Sequence, residues 1–249
     1  MMSLTEVSIA DSVKRQYKFK LKSYIGAFTT LIAVQVVAML FSSTGTGGYG
    51  TSSESYSINV SYYSANLIIA FTMLWSFITS VLITTKAYRY EDFMFVTNRL
   101  TSSLSNVLFL LTASIVGGIS AMFAGYLQKI YLFYISEGAN LISATTPLTE
   151  LVIGLVAASL YMLLFSALGY FVGMLTQLHK LFIVIIPTVF LGSLFLSARH
   201  NGEVNFITKV IELFIQETSL LLFAVKVLTV AAALFYGSLV ICNRLEVRR

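Results

Sequence analysis

Three glycines, Gly45, Gly47 and Gly50, stand at G-x-G-x-x-G spacing. Gly45 to Ser52 also fits the phosphate-loop pattern G-x-x-x-x-G-K-[ST], except that Thr51 replaces the lysine. Such glycines cradle phosphate where a strand enters the turn and a helix N-terminus leaves it, because aligned backbone N–H groups do the binding. Here an uncharged apolar run precedes them, so the stretch 42–62, rich in Gly, Ser, Thr and Tyr, predicts a flexible outer loop and no nucleotide site. Hydrolytic chemistry finds no better footing. There is no H-E-x-x-H and no Gly-x-Gly-Asp, and no apolar stretch pairs a serine with a histidine. His179 and His200 fall near opposite ends of the apolar runs, which separates them as metal ligands. The single cysteine, Cys242, excludes both an intramolecular disulfide and a cysteine-based metal cluster. These residues read as those of a protein that is not itself an enzyme.

One ionisable residue does stand out. Lys226 lies about 10 Å inside an otherwise apolar run. Charge at such a depth is costly and is a functional hint by default. Lysine can also snorkel outward along its stem, or meet Glu217, Glu212 or Glu150 near the surface.

The elements that would position these residues are six nearly uncharged stretches, 23–41, 63–85, 104–126, 150–176, 181–198 and 219–241. A bilayer core of about 30 Å takes about 20 helical residues to cross. Backbone groups cannot stay unpaired in lipid, and the stretches lack the alternation of barrel strands, so they must be helices. The expected fold is an all-α polytopic membrane protein with six transmembrane helices. Composition agrees: the chain has 249 residues, is 57% hydrophobic and only 11% charged, and has a mean hydropathy of +0.84. A soluble domain is about 25% charged. The spans leave no room for a separate soluble catalytic domain.

Charge sets the orientation. Lys14, Arg15, Lys18, Lys20, Lys22, Lys86, Arg89, Arg99, Lys180, Arg244, Arg248 and Arg249 fall on one side, and Lys129, Arg199 and Lys209 on the other. Twelve against three predicts that the termini, 1–22 and 242–249, are cytoplasmic; the expected location is the plasma membrane. The basic clusters then read as topology signals and anchors to anionic membrane lipid, and not as a nucleic-acid surface. The first apolar run is too long for a signal peptide and lacks a small-x-small cleavage site, so it reads as an uncleaved anchor.

Between the spans lie three informative segments. In 8–22, Ile9, Val13, Tyr17 and Leu21 recur every four residues with Arg15, Lys18 and Lys22 off that row. The spacing fits an amphipathic helix on the membrane, against the alternative of a basic tail. In 86–103, Tyr90, Phe93, Val96, Thr97 and Leu100 have helical spacing beside Glu91, Asp92, Asn98 and Arg99, as in a short helix that rests on lipid or docks on a protein. In 199–218, a dense apolar set from Val204 to Ile215 is broken by Glu203, Lys209, Glu212 and Glu217, which fits an interfacial or re-entrant hairpin. Residues 129–146 read as a helix emerging through an aromatic belt and then a turn ending at Pro147. Pro187 should kink or break the fifth span. Small residues recur at Ala113, Gly117, Ala121 and Gly125 and at Gly169 and Gly173, rows that let helix backbones approach, more readily inside one chain than between chains.

This arrangement resembles the permease subunits of ABC-2 type (ABCG-like) ABC transporters. Those subunits carry an amphipathic connecting helix before six spans, a coupling helix between the second and third, and re-entrant helices between the fifth and sixth. Residues 8–22, 86–103 and 199–218 occupy these places, and Arg89-Tyr-Glu-Asp-Phe-Met-Phe-Val-Thr-Asn-Arg99 is similar to the family's coupling region. The resemblance implies an export permease paired with a second, identical or related permease. Each would dock on a separate ABC ATPase subunit that holds the ATP and Mg, through Arg89, Glu91, Asp92, Phe93, Val96 and Arg99. Amphipathic peptides, antibiotics or lipid-like molecules suit such a route. The alternative class is a stand-alone secondary transporter, channel or immunity-type membrane protein, for which ionisable residues near the midplane would be expected.

Overall fold

The computed structural model describes residues 8–43, 45, 47–53, 56–62, 64–85, 87–88, 99–135, 147–199, 209, 212–214 and 216–244. The chain is mostly helical. Its elements are α1 (Ile9–Ser23), α2 (Ile25–Ser42), β1 (Gly47–Ser53), β2 (Tyr56–Tyr62), α3 (Asn66–Thr84), α4 (Arg99–Ile135), α5 (Leu148–Leu178), α6 (Phe182–Arg199) and α7 (Leu220–Arg244). Five of them, α2, α3, α4, α5 and α7, are long and apolar enough to cross a bilayer. The protein is therefore membrane-embedded. The helix α6 is also apolar and runs on through Pro187.

The stretch expected to be a flexible loop at 42–62 contains an antiparallel hairpin, with Gly47 opposite Tyr62 and Ser53 opposite Tyr56. The cause lies in β2, whose sequence Tyr-Ser-Ile-Asn-Val-Ser-Tyr alternates large and small polar residues and is rich in strand formers. The glycines that imitate a phosphate loop fall at the head of this hairpin and within it. Among the described residues Gly45 has the one positive φ, 92°, so it supplies the left-handed turn that carries the chain from α2 into β1.

The helix α4 extends the third expected span at both ends. Its 37 residues are about 55 Å long, well beyond a bilayer core of about 30 Å. Residues 99–103, expected in the cytoplasmic connection, are its first turn and a half. At its far end Tyr131, Phe133 and Tyr134 stand exposed, as an aromatic belt would.

In the bundle α5 is the central helix: α3, α4 and α7 pack on it most extensively, α2 lies mainly on α3, and α1 lies on α4. The small residues make this packing possible. A Cβ added to Gly169 would strike the Phe77 carbonyl, one on Gly173 would strike Thr84, and one on Gly118 would strike Ser159. Gly117 lies under Trp75, and Gly125 faces Ala65 so closely that an added Cβ would be 2.9 Å from the alanine methyl. Both small-residue rows are thus used within one chain, and they offer no support for contact between subunits. Around these approaches the core gathers Leu31, Trp75, Phe109, Leu163, Tyr170 and Phe235, one or more from every helix except α1 and α6.

Overpacking of such a site costs about 1–3 kcal/mol. Gly169→Ala should therefore lower the thermal midpoint in detergent clearly. Gly192→Ala, on α6, where an added Cβ meets nothing, should leave it unchanged or raised. Equal midpoints for the two variants would remove the close approach of α5 to α3 as a source of stability.

Candidate functional site

The most elaborate polar construction lies where α1 meets the start of α4. The apolar row Ile9, Val13, Tyr17 and Leu21 does not simply face lipid. The buried residues of α1 are Val13, Gln16 and Lys20, followed by Tyr24 one turn on, and Ile9 at the far end of the row is exposed. These positions follow i, i+3, i+7 and i+11, one stripe of a helix. A helix expected on the membrane surface is thus docked on α4 by a stripe that includes an amide and an ammonium.

Lys20 is fully buried and donates from Nζ to Asn106 Oδ1, and at 3.4 Å to the Ser102 carbonyl. Asn106 turns its amide nitrogen toward the Tyr170 hydroxyl at 3.5 Å, and the Tyr170 ring meets Phe235 at 5.9 Å, tilted by 54°. One chain of polar groups therefore ties α1, α4 and α5, with α7 closing it by ring contact. Thr101, Ser103 and Ser105 are buried beside it, and Ser103 donates to Cys242 Sγ at 3.7 Å. A buried ammonium holds its charge only where acceptors replace its lost water.

Beside this chain Tyr24 breaks the helix between α1 and α2, with φ −97° and ψ 27°. Its ring meets Tyr88 edge-on at 4.9 Å and Phe109 at 5.5 Å. The rings line a half-open cavity of about 420 Å³, with Ser23, Thr30 and Thr79 supplying hydroxyls. Cavities of this size, mostly apolar with a few polar groups, are the usual shape of a small-molecule site.

Of the residues singled out by sequence, Arg89, Glu91, Asp92, Phe93 and Val96 lie outside the described residues. Arg99 begins α4. The residues flanking that segment can be placed: Tyr88 before it packs on Tyr24, and Asn106, two turns after Arg99, accepts from Lys20. Much of 199–218, with His200, also lies outside the described residues. Lys226 is ion-paired with Glu217, both side chains partly exposed. His179 accepts from the Leu181 N–H at 3.3 Å just beyond α5. Among the described residues no group of His, Cys, Asp and Glu could hold a metal.

Sequence reasoning missed Lys20, Asn106 and Tyr170 as a connected set. It also missed Gln35, Thr72 and Ser120, which meet between α2, α3 and α4. A glutamine within an uncharged span was the available signal for the second set. Comparison with known protein families, characterised proteins and solved structures yields no match.

Because Lys20 and Asn106 share one interaction, removing either should cost about 1–3 kcal/mol. Lys20→Met and Asn106→Leu should each lower stability in detergent, and the double variant should fall short of their sum. Lys226→Met should cost less than either single variant, since its pair is partly exposed rather than fully buried. Additive effects at Lys20 and Asn106 would separate the two residues.

Proposed function

We propose that this chain is the permease subunit of an ATP-driven exporter of the ABC-2 type. In this reading α6 is a crossing alongside the other five apolar helices, which gives six spans in the plasma membrane with both termini and the basic clusters on the cytoplasmic side. ATP and Mg belong to a separate ATPase subunit, and a second permease, identical or related, completes the path. The cargo is amphipathic, peptide-like, antibiotic or lipid-like and moves outward.

The observation that carries this reading is mechanical. Within the candidate coupling segment 86–103, residues 89–98 are flanked by Tyr88, whose ring lies against Tyr24 at the α1–α2 break, and by the first turns of α4, into which Lys20 is clipped. A push on 89–98 would thus reach α1, α2 and α4 together, through close contacts and a buried hydrogen bond. Coupling by an external motor needs such a rigid collar. The pairing of Lys226 with Glu217 favours the permease over an ion-coupled carrier, because the one lysine within a span has a structural partner near the outer end of α7.

Two measurements test the proposal. A cysteine placed at Thr51 should react with membrane-impermeant maleimide from outside the cell and one at Asn98 should not; labelling of both from the same face would overturn the orientation. In reconstituted membranes Phe93→Ala should lose the ATPase or uncouple its hydrolysis from transport, while Arg99→Ala has the milder effect, since apolar anchors carry most docking energy and rim charges about 0–1 kcal/mol each. If Phe93→Ala leaves ATPase association and stimulated turnover unchanged, segment 89–98 is not the coupling element.

A further inference from the structure

A second cavity, of about 460 Å³, opens on the membrane side of the bundle between α2 and α4. Its walls are apolar, with Ile32, Val36 and Met39 on one side and Val116, Phe123 and Leu127 on the other. Its lining is almost wholly apolar, and Gln35 and Ser120 reach its floor with very little exposed polar surface. Gln35 is 6% exposed and lies about 15 Å along α2 from Ile25, near the middle of a bilayer core of about 30 Å.

The orientation of the Gln35 amide follows from its neighbours. Thr72 gives its own hydroxyl proton to the Ile68 carbonyl at 2.7 Å, and Ser120 gives its proton to the Gly117 carbonyl at 3.1 Å. Both hydroxyls therefore face Gln35 as acceptors. They take its Nε2 protons at 3.3 Å and 2.9 Å. That assigns the amide nitrogen to Thr72 and Ser120 and leaves Oε1 with no hydrogen-bond partner among the described residues. An unanswered amide oxygen at this depth is costly, because hydrocarbon supplies no donor.

From this geometry we infer that the α2–α4 groove binds a membrane-dissolved single-chain amphiphile bearing a hydroxyl or amide N–H part-way along its chain, which donates to Gln35 Oε1. A partner's helix fits less well. Helices associate in membranes through small residues, whereas of the residues lining this groove only Ser120 and Ala124 are small, and the glycine rows are already packed within the bundle. The volume is that of a small-molecule site. The inference goes beyond the permease reading and holds without any ATPase.

The test uses the chain's sole tryptophan. Trp75 lies one turn from Thr72, with its ring against Gly117, so it reports on the groove floor. The full chain is placed in phosphatidylcholine nanodiscs, one copy per disc, and titrated with two brominated probes. One is the bromohydrin of methyl oleate, with bromine and hydroxyl at mid-chain; the other is methyl stearate with mid-chain bromine alone. The bromohydrin should quench Trp75 saturably and at least tenfold more tightly than its partner. Gln35→Leu should erase that difference. Ala124→Phe, which fills the groove and leaves the amide in place, should abolish saturable quenching by both. Two results would overturn the proposal: equal, unsaturable quenching by the two probes, or a preference that survives both substitutions. Loss of quenching only in discs holding two copies would assign the groove to a neighbouring helix and overturn it as well.

Discussion

Hydrocarbon answers no hydrogen bond, and the arrangement of this protein follows from that one constraint. Every polar side chain carried into the bundle must find its partner on another helix or on its own backbone. Serines and threonines mostly turn back on their own helices: Thr72 to Ile68, Ser80 to Ser76 and Ser114 to Leu110. The longer side chains reach across. Lys20 finds α4, Gln35 finds α3 and α4, and Gln128 of α4 donates to Ser42 of α2 at 2.6 Å. These cross-links fix the register of helices whose apolar faces alone would slide past one another. Glycine permits the same economy from the backbone side, since Ser76 reaches the Met162 carbonyl at 2.9 Å only because α3 and α5 approach so closely.

The polar cross-links divide by depth. Those at the α1 end of the bundle join a charged helix to three apolar ones and surround an aromatic cavity. Those in the middle are neutral amides and hydroxyls. A charge is tolerable near the headgroups, where its cost is lower, whereas a glutamine at mid-depth is about as polar as a span can carry without a counter-charge. The two cavities follow the same division: the one at the α1 end is lined by tyrosine, serine and threonine among its apolar residues, and the deeper one is almost wholly apolar.

Much of the fold was legible from residue order. Long uncharged runs leave few alternatives to membrane helices, and the runs at 23–41, 63–85, 150–176 and 219–241 sit within a few residues of α2, α3, α5 and α7. What could not be read was what the helices do to one another. Lys20 looks like any other basic residue beside a span, because its burial depends on α4, which lies far away in sequence. The hairpin at 47–62 was hidden by its glycines, which invite a loop reading, although the alternation in β2 was there to be seen. Of the candidate site, the aromatic and polar groups were visible singly, but only three-dimensional packing joins Lys20, Asn106 and Tyr170. The residues proposed for coupling, from Arg89 to Val96, rest on sequence alone.

One helix stands apart from this economy. The helix α6 touches its own bundle only lightly along α5, and apolar side chains such as Val184, Val189 and Phe195 remain exposed around much of its surface. At 18 residues it is about 27 Å long, the same length as α2, but without α2's packing. In the proposed six-span reading, its tilt and depth would be governed less by protein contacts than by the surrounding lipid, through hydrophobic mismatch. In that reading bilayer thickness becomes a physical variable of this protein in its own right, acting on the one helix that its neighbours hold least.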